Sequence, residues 1–145
     1  MPSPLKVKCP RCGREFTIEV DRRLLESARE NPSGLHPVAL PHEDHVLIAY
    51  IDENGNLRRL EAFPSVRTEA PPSEPEYIPV PRPRGLMPDL KRLRPEELRV
   101  LVFCDGKRTL REIAAMLGMR YETVKVIVTK LHAQGYLAEV KIRLS

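Results

Sequence analysis

The stretch from Thr109 to Gly135, TLREIAAMLGMRYETVKVIVTKLHAQG, constrains the fold more than any other part of this chain. Its apolar residues recur at helical spacing in two blocks, one on each side of a glycine. Leu110, Ile113, Ala114 and Leu117 fall at i, i+3, i+4 and i+7, which predicts a helix over 110–117 with one buried stripe. Thr109 precedes it and Glu112 follows three residues later, the capping-box pattern. Gly118 accepts the positive φ that lets a chain leave a helix cheaply. The second helix is predicted over 121–133, with Val124, Ile127, Val128 and Leu131 as its inner stripe and Gly135 past its end.

The flanks extend this pattern. A third helix is expected near 95–104, where Pro95 suits a first helical turn and Leu98, Val100, Leu101 and Val102 supply an inner side. Asp105-Gly106 turns the chain into Thr109. After Gly135 comes YLAEVKIRLS, a terminal strand with no Gly, Pro or Asn to fold it into a hairpin. Its expected partners are the short segment ahead of the 110–117 helix, or an exposed edge on another chain.

Upstream lies a proline-rich stretch. Residues 64–88 hold 8 of the 15 prolines and read as a semi-rigid linker, since proline interrupts helices and central strands alike. The other reading of this stretch is that Tyr77, Ile78 and Val80 dock on a domain or partner. The division is therefore 1–63, a small β-rich α+β unit; 64–88, the linker; and 89–145, a helical unit. Within 1–63, Leu5–Lys8 and Phe16–Val20 flank a CPRCG turn and can pair. Asp21 caps a helix over 22–30, and Asn31-Pro32-Ser33-Gly34 breaks it. Strands follow at 35–40, 45–51 and 57–63, the last two joined by Glu53-Asn54-Gly55-Asn56, whose Asn-Gly favours a hairpin turn.

Charge is uneven along these parts. Residues 1–63 carry 9 Lys+Arg against 10 Asp+Glu, and residues 89–145 carry 12 against 7, so the net +4 resides in the C-terminal unit. Such a unit suits a polyanion, or is a soluble domain with a solvated basic face. One Gln and three Asn stand against 44 charged residues, a balance pointing to a heat-adapted, archaeal source. No apolar run approaches the ~18 residues of a membrane span, and MPSPLKVKCP has no signal-peptide apolar core. The expectation is a cytoplasmic protein with no membrane partner.

Cys9 and Cys12 stand in Cys9-Pro10-Arg11-Cys12-Gly13. Two intervening residues let both thiolates face one tetrahedral ion, and Gly13 permits the tight exit. A structural zinc site wants four ligands. The best supplement is His42 and His45, a second pair with the same spacing, with His36 in reserve. A ribbon without metal, a reversible disulfide, and a dimer pooling four cysteines on one ion remain open alternatives. Cys104 sits in the apolar run LRVLVFC and reads as a buried structural thiol. No Gly-rich phosphate loop or nucleophile elbow is present, and the expectation is a non-enzymatic protein.

Thr109–Leu117, Gly118, Val124–Leu131 and Gly135-Tyr136-Leu137 resemble the winged helix-turn-helix superfamily over about 50 residues. CPRCG resembles a zinc ribbon through that motif alone. The resemblances imply an α+β protein: a zinc-ribbon-like unit joined by a proline-rich linker to a three-helix, winged helix-like domain with a reduced wing. They imply a DNA-binding transcriptional regulator whose helix 121–133 enters the major groove. By position, Arg120, Tyr121, Glu122, Lys125 and Val126 would meet base edges, and Arg108 and Lys130 would meet phosphates. The missing wing and the acid at Glu122 motivate a second reading. In it the same domain is an adaptor on a larger protein or ribonucleoprotein complex, and the missing wing also favours homodimerisation; a third reading is RNA or ribosome binding.

Overall fold

The segment His45–Asp52 reads HVLIAYID, and its first seven residues are all buried. A strand with one wet face alternates apolar and polar, whereas a continuous run needs cover on both faces. The computed structural model, which describes residues 3–65 and 74–143, supplies that cover.

The chain opens with two antiparallel strands, β1 (Ser3–Lys8) and β2 (Glu15–Val20), joined through the CPRCG turn. Helix α1 (Arg22–Glu30) follows, capped by the Asp21 carboxylate, which accepts from the Leu24 N–H at 2.9 Å. Strands β3 (Leu35–His42), β4 (His45–Asp52) and β5 (Leu57–Pro64) form an antiparallel meander with β4 in the middle. Leu47, Ala49 and Ile51 face one cluster with Val7, Ile18, Val20 and Leu24. Val46, Ile48 and Tyr50, of opposite parity, face the C-terminal helices. The sheet is thus the middle of three layers, and β4 lies at its centre.

The helical layer holds α2 (Pro95–Phe103), α3 (Leu110–Leu117) and α4 (Tyr121–Ala133). Thr109 Oγ1 accepts from the Glu112 N–H at 3.1 Å and the Glu112 carboxylate accepts from the Thr109 N–H at 3.0 Å, closing the expected capping box. Gly118 takes φ 63°. A Cβ there would stand 3.0 Å from the Ser65 Cα and 3.1 Å from a Val46 methyl, so the turn between α3 and α4 is pressed against the sheet.

The structure alters two sequence expectations. Within the stretch read as linker, Glu76–Pro81 form a strand, β6, antiparallel to the terminal strand β7 (Leu137–Arg143). Proline is tolerated because, among the described residues, β6 has a neighbouring strand on one side only, leaving the other edge where no ladder N–H is needed. Of Tyr77, Ile78 and Val80, the residues of its docking alternative, Tyr77 packs against the helical cluster. The segment ahead of α3 touches β6 through the Gly106 N–H, 3.2 Å from the Pro79 carbonyl, rather than pairing with β7.

The second alteration concerns the units 1–63 and 89–145, which share a core. Asn31, buried, donates from Nδ2 to the Val102 carbonyl at 2.7 Å. Arg99 on α2 meets Glu61 on β5 at 2.6 Å and lies 4.2 Å over the Phe63 ring. No helix among the described residues is long and apolar enough to cross a membrane.

Candidate metal centre and exposed helix face

Two hairpin ends converge at one edge of the molecule. The first is the CPRCG turn, where Gly13 at φ 80° lets its N–H return to the Cys9 carbonyl at 2.8 Å. The second is the turn between β3 and β4, where His42 and His45 are direct partners across the ladder. Two residues close that turn, and Glu43 takes φ 52°, in the left-handed region that costs a non-glycine side chain energy. As direct cross-strand partners the two imidazoles lie on one face of the hairpin.

The potential ligand atoms of Cys9, Cys12, His42 and His45 all lie within 4.8 Å of one another. Cys9 Sγ and His45 Nε2 are 3.4 Å apart. A tetrahedral ion with metal–sulfur bonds of ~2.3 Å and metal–nitrogen bonds of ~2.0–2.1 Å has a sulfur–nitrogen edge of about 3.5 Å. The Cys9–His45 separation therefore matches one edge of the coordination polyhedron.

The histidines are oriented for this by their other nitrogens. His42 Nδ1 donates to the Leu40 carbonyl at 2.8 Å, and His45 Nδ1 donates to the Asp44 carboxylate at 2.9 Å. Both acceptors lack a proton to give, so each fixes a tautomer whose Nε2 lone pair points inward. His42 Nε2 is buried with no hydrogen-bond partner among the described residues. A buried nitrogen acceptor in that condition is costly unless something fills its lone pair, and a metal ion does so. The Phe16 ring, 4.8 Å from the His42 ring, shields this side from water.

Electrostatics favour the same chemistry. Burial raises the Cys9 thiol pKa, but the N–H groups of Cys12 and Arg11 lead the contacts that outweigh it, drawing it down to about 6. Cys12, exposed, is helped toward thiolate by the Arg14 N–H, yet partial burial and the neighbouring Cys9 sulfur raise it overall. Asp44 raises His45 above its usual range, and the same bond lowers Asp44. The four residues form a Cys2His2 cluster able to hold a metal ion. His36 lies elsewhere, its Nδ1 2.8 Å from Ser27 Oγ. Cys104 is fully buried and its thiol faces the Val100 carbonyl at 3.3 Å, with burial raising its pKa.

No family model, curated protein or solved structure matches this chain.

The residues nominated for nucleic acid are dispersed. Arg120 is exposed at the N-terminal end of α4. Tyr121 is 2% exposed, a core residue rather than a surface reader. It begins the stripe Tyr121, Val124, Val128, Leu131, a spacing that the sequence already displayed. Lys125 pairs with Glu74 and lies over the Tyr77 ring at 5.3 Å. Lys130 meets the buried Glu97 at 2.7 Å. Arg108 donates to the Phe103 carbonyl at 3.2 Å, approaches Asp105 at 3.7 Å and covers the Phe103 ring, fastening the turn after α2. The open face of α4 is Glu122, Thr123, Val126, Thr129 and Lys130. Beside it Met119, Val126 and Ile127 line a shallow groove edged by Arg94 and Glu96.

Proposed function

We propose that this chain is a zinc-stabilised, non-enzymatic DNA-binding regulator of transcription, with α4 as its recognition helix. The observation that carries this reading is the mounting of α4. A capped α3 and a left-handed Gly118 precede it, and its inner stripe is buried while the opposite side is open to solvent. A helix so mounted can enter a groove about 12 Å wide without disturbing the core behind it. Arg120, exposed at the leading end, is a side chain able to contact guanine edges in a bidentate way.

Zinc is the metal assigned to the Cys2His2 cluster. Mixed thiolate and imidazole donors in tetrahedral array suit it, and four protein ligands leave no open position for catalysis. The ion would tie the β1–β2 hairpin to the central sheet on which the helical layer rests.

One observation favours a second reading, that of a protein-binding adaptor. Val126, in the centre of the open face, is 68% exposed, and Glu96 and Glu122 lie near it. The two readings separate in one experiment. The full chain, loaded with zinc, is titrated into a mixed-sequence duplex across a salt series. Affinity that falls linearly on a log–log plot supports phosphate contacts and the DNA reading. Absence of binding at the lowest salt overturns it in favour of the adaptor.

A further inference from the structure

The cations nominated for phosphates from sequence are mostly engaged inside the protein. Another group faces water. Between β6 and α2 the chain reads RPRGLMPDLKRLRP over residues 82–95 and carries Arg82, Arg84, Lys91, Arg92 and Arg94. All five are exposed. The sole acid in that run, Asp89, accepts from the Lys91 N–H at 3.0 Å as the cap of a short 3-10 turn. Arg84 lies over Gly34 and within 4.0 Å of Glu53. Lys91, Arg92 and Arg94 make no ion pair with a described residue.

This strap is held firmly. Met87, Leu90 and Leu93 pack against the helical core. The Tyr136 hydroxyl donates to the Asp89 carbonyl at 2.7 Å, and the Arg82 N–H reaches the Tyr136 carbonyl at 3.2 Å. Pro83, Pro88 and Pro95 restrict the backbone further. The apolar residues thus anchor the strap while its cations face water, so the backbone loses little ordering entropy when they meet a partner. Arg94 also borders the groove that Thr123 and Val126 of α4 line together with Glu96, Glu97 and Glu122, so this end of the strap adjoins the open helix face.

We propose that Lys91, Arg92 and Arg94 form the phosphate-contacting edge of this protein and lie on the duplex backbone beside the groove that α4 occupies. The inference rests on the DNA reading and names the residues that carry its affinity. Duplex DNA fits because its phosphates flank the groove as a rigid, regular row, and a guanidinium fork matches a phosphate in geometry as well as charge. Contacts of this kind give affinity and register but carry no base sequence.

The test compares two triple variants of the full, zinc-loaded chain. One carries Lys91→Gln, Arg92→Gln and Arg94→Gln; the other carries Arg22→Gln, Arg23→Gln and Arg29→Gln, which make the same charge change on exposed positions of α1. Each phosphate contact contributes about 0.9 to the log–log salt slope. The strap variant should therefore lose roughly 2 to 3 from the slope while keeping the thermal midpoint of the wild type. The α1 variant should keep the wild-type slope. Equal changes in the two variants, or an unchanged slope in the strap variant, overturn the inference and leave the DNA reading standing. A wild-type chain that binds no duplex overturns that reading and this inference with it.

Discussion

His42 and His45 face each other across the turn between β3 and β4, their ring centroids 4.2 Å apart and their planes at 69°. Each imidazole has its Nδ1 engaged, by the Leu40 carbonyl and the Asp44 carboxylate respectively, so both Nε2 atoms are left for the cysteines' side. A pair set this way is able to serve one ion together with the two cysteines.

Asp44 acts through His45. It is exposed, and its carboxylate fixes the tautomer and the ring angle from outside the cluster. Asp44→Ala should weaken zinc affinity by about 10- to 100-fold, read by competition with a chromophoric chelator. The far-UV spectrum of the zinc-saturated variant should match that of the wild type.

Asn31 joins the outer and helical layers. Its Nδ2 donates to the Val102 carbonyl while its Oδ1 accepts from the Ser33 N–H at 3.0 Å and the Ser33 hydroxyl at 2.7 Å. Removing a buried amide strands its partners, so Asn31→Ala should cost about 1–3 kcal/mol in urea unfolding. Because the layers share a core, unfolding should remain a single transition.

Gly118 has no room for a side chain. Its φ of 63° is in the left-handed region, and an added Cβ would meet the Ser65 Cα at 3.0 Å. Gly118→Ala should destabilise the chain by about 1–3 kcal/mol, visible as a lower urea midpoint. Tyr121→Phe is the contrasting case. The Tyr121 hydroxyl is buried with no hydrogen-bond partner among the described residues, so its removal should leave stability unchanged or higher and duplex affinity unchanged.

Burial holds His36 below its ordinary pKa, with the Arg108 charge acting in the same direction. The unfolded chain takes up this proton near pH ~6.5, the folded chain only at lower pH. The contribution is therefore complete above that value and is lost as pH falls below it. Between pH ~7.5 and ~5.5 the zinc-loaded wild type should lose more urea resistance than His36→Gln, whose side chain does not titrate.

The helices were legible because each carries its own signals. Thr109, Glu112 and Gly118 bound α3, and Asp21 starts α1, with no help from the rest of the chain. The pairing of His42 with His45 was legible as spacing, since a turn of two residues brings the flanking positions together. Strand β6 was not, because Pro79 and Pro81 argue against a strand, and the free edge that admits them is a property of the two-stranded sheet. The shared core was hidden for a related reason. The unbroken run from Val46 to Ile51 signals burial on both faces but does not say which elements provide the cover. The ion pairs of Lys125 and Lys130 join residues 51 and 33 positions apart, beyond the reach of any local pattern.

Metal content of the purified full chain is the most direct measurement. The cluster of Cys9, Cys12, His42 and His45 should hold one zinc ion per chain, retained through dialysis, and lost in Cys9→Ser and in His42→Ala. Chelation should lower the thermal midpoint, with recovery on adding zinc back. A chain that purifies without metal, binds none on titration, and keeps its midpoint in the presence of a chelator would contradict the assignment.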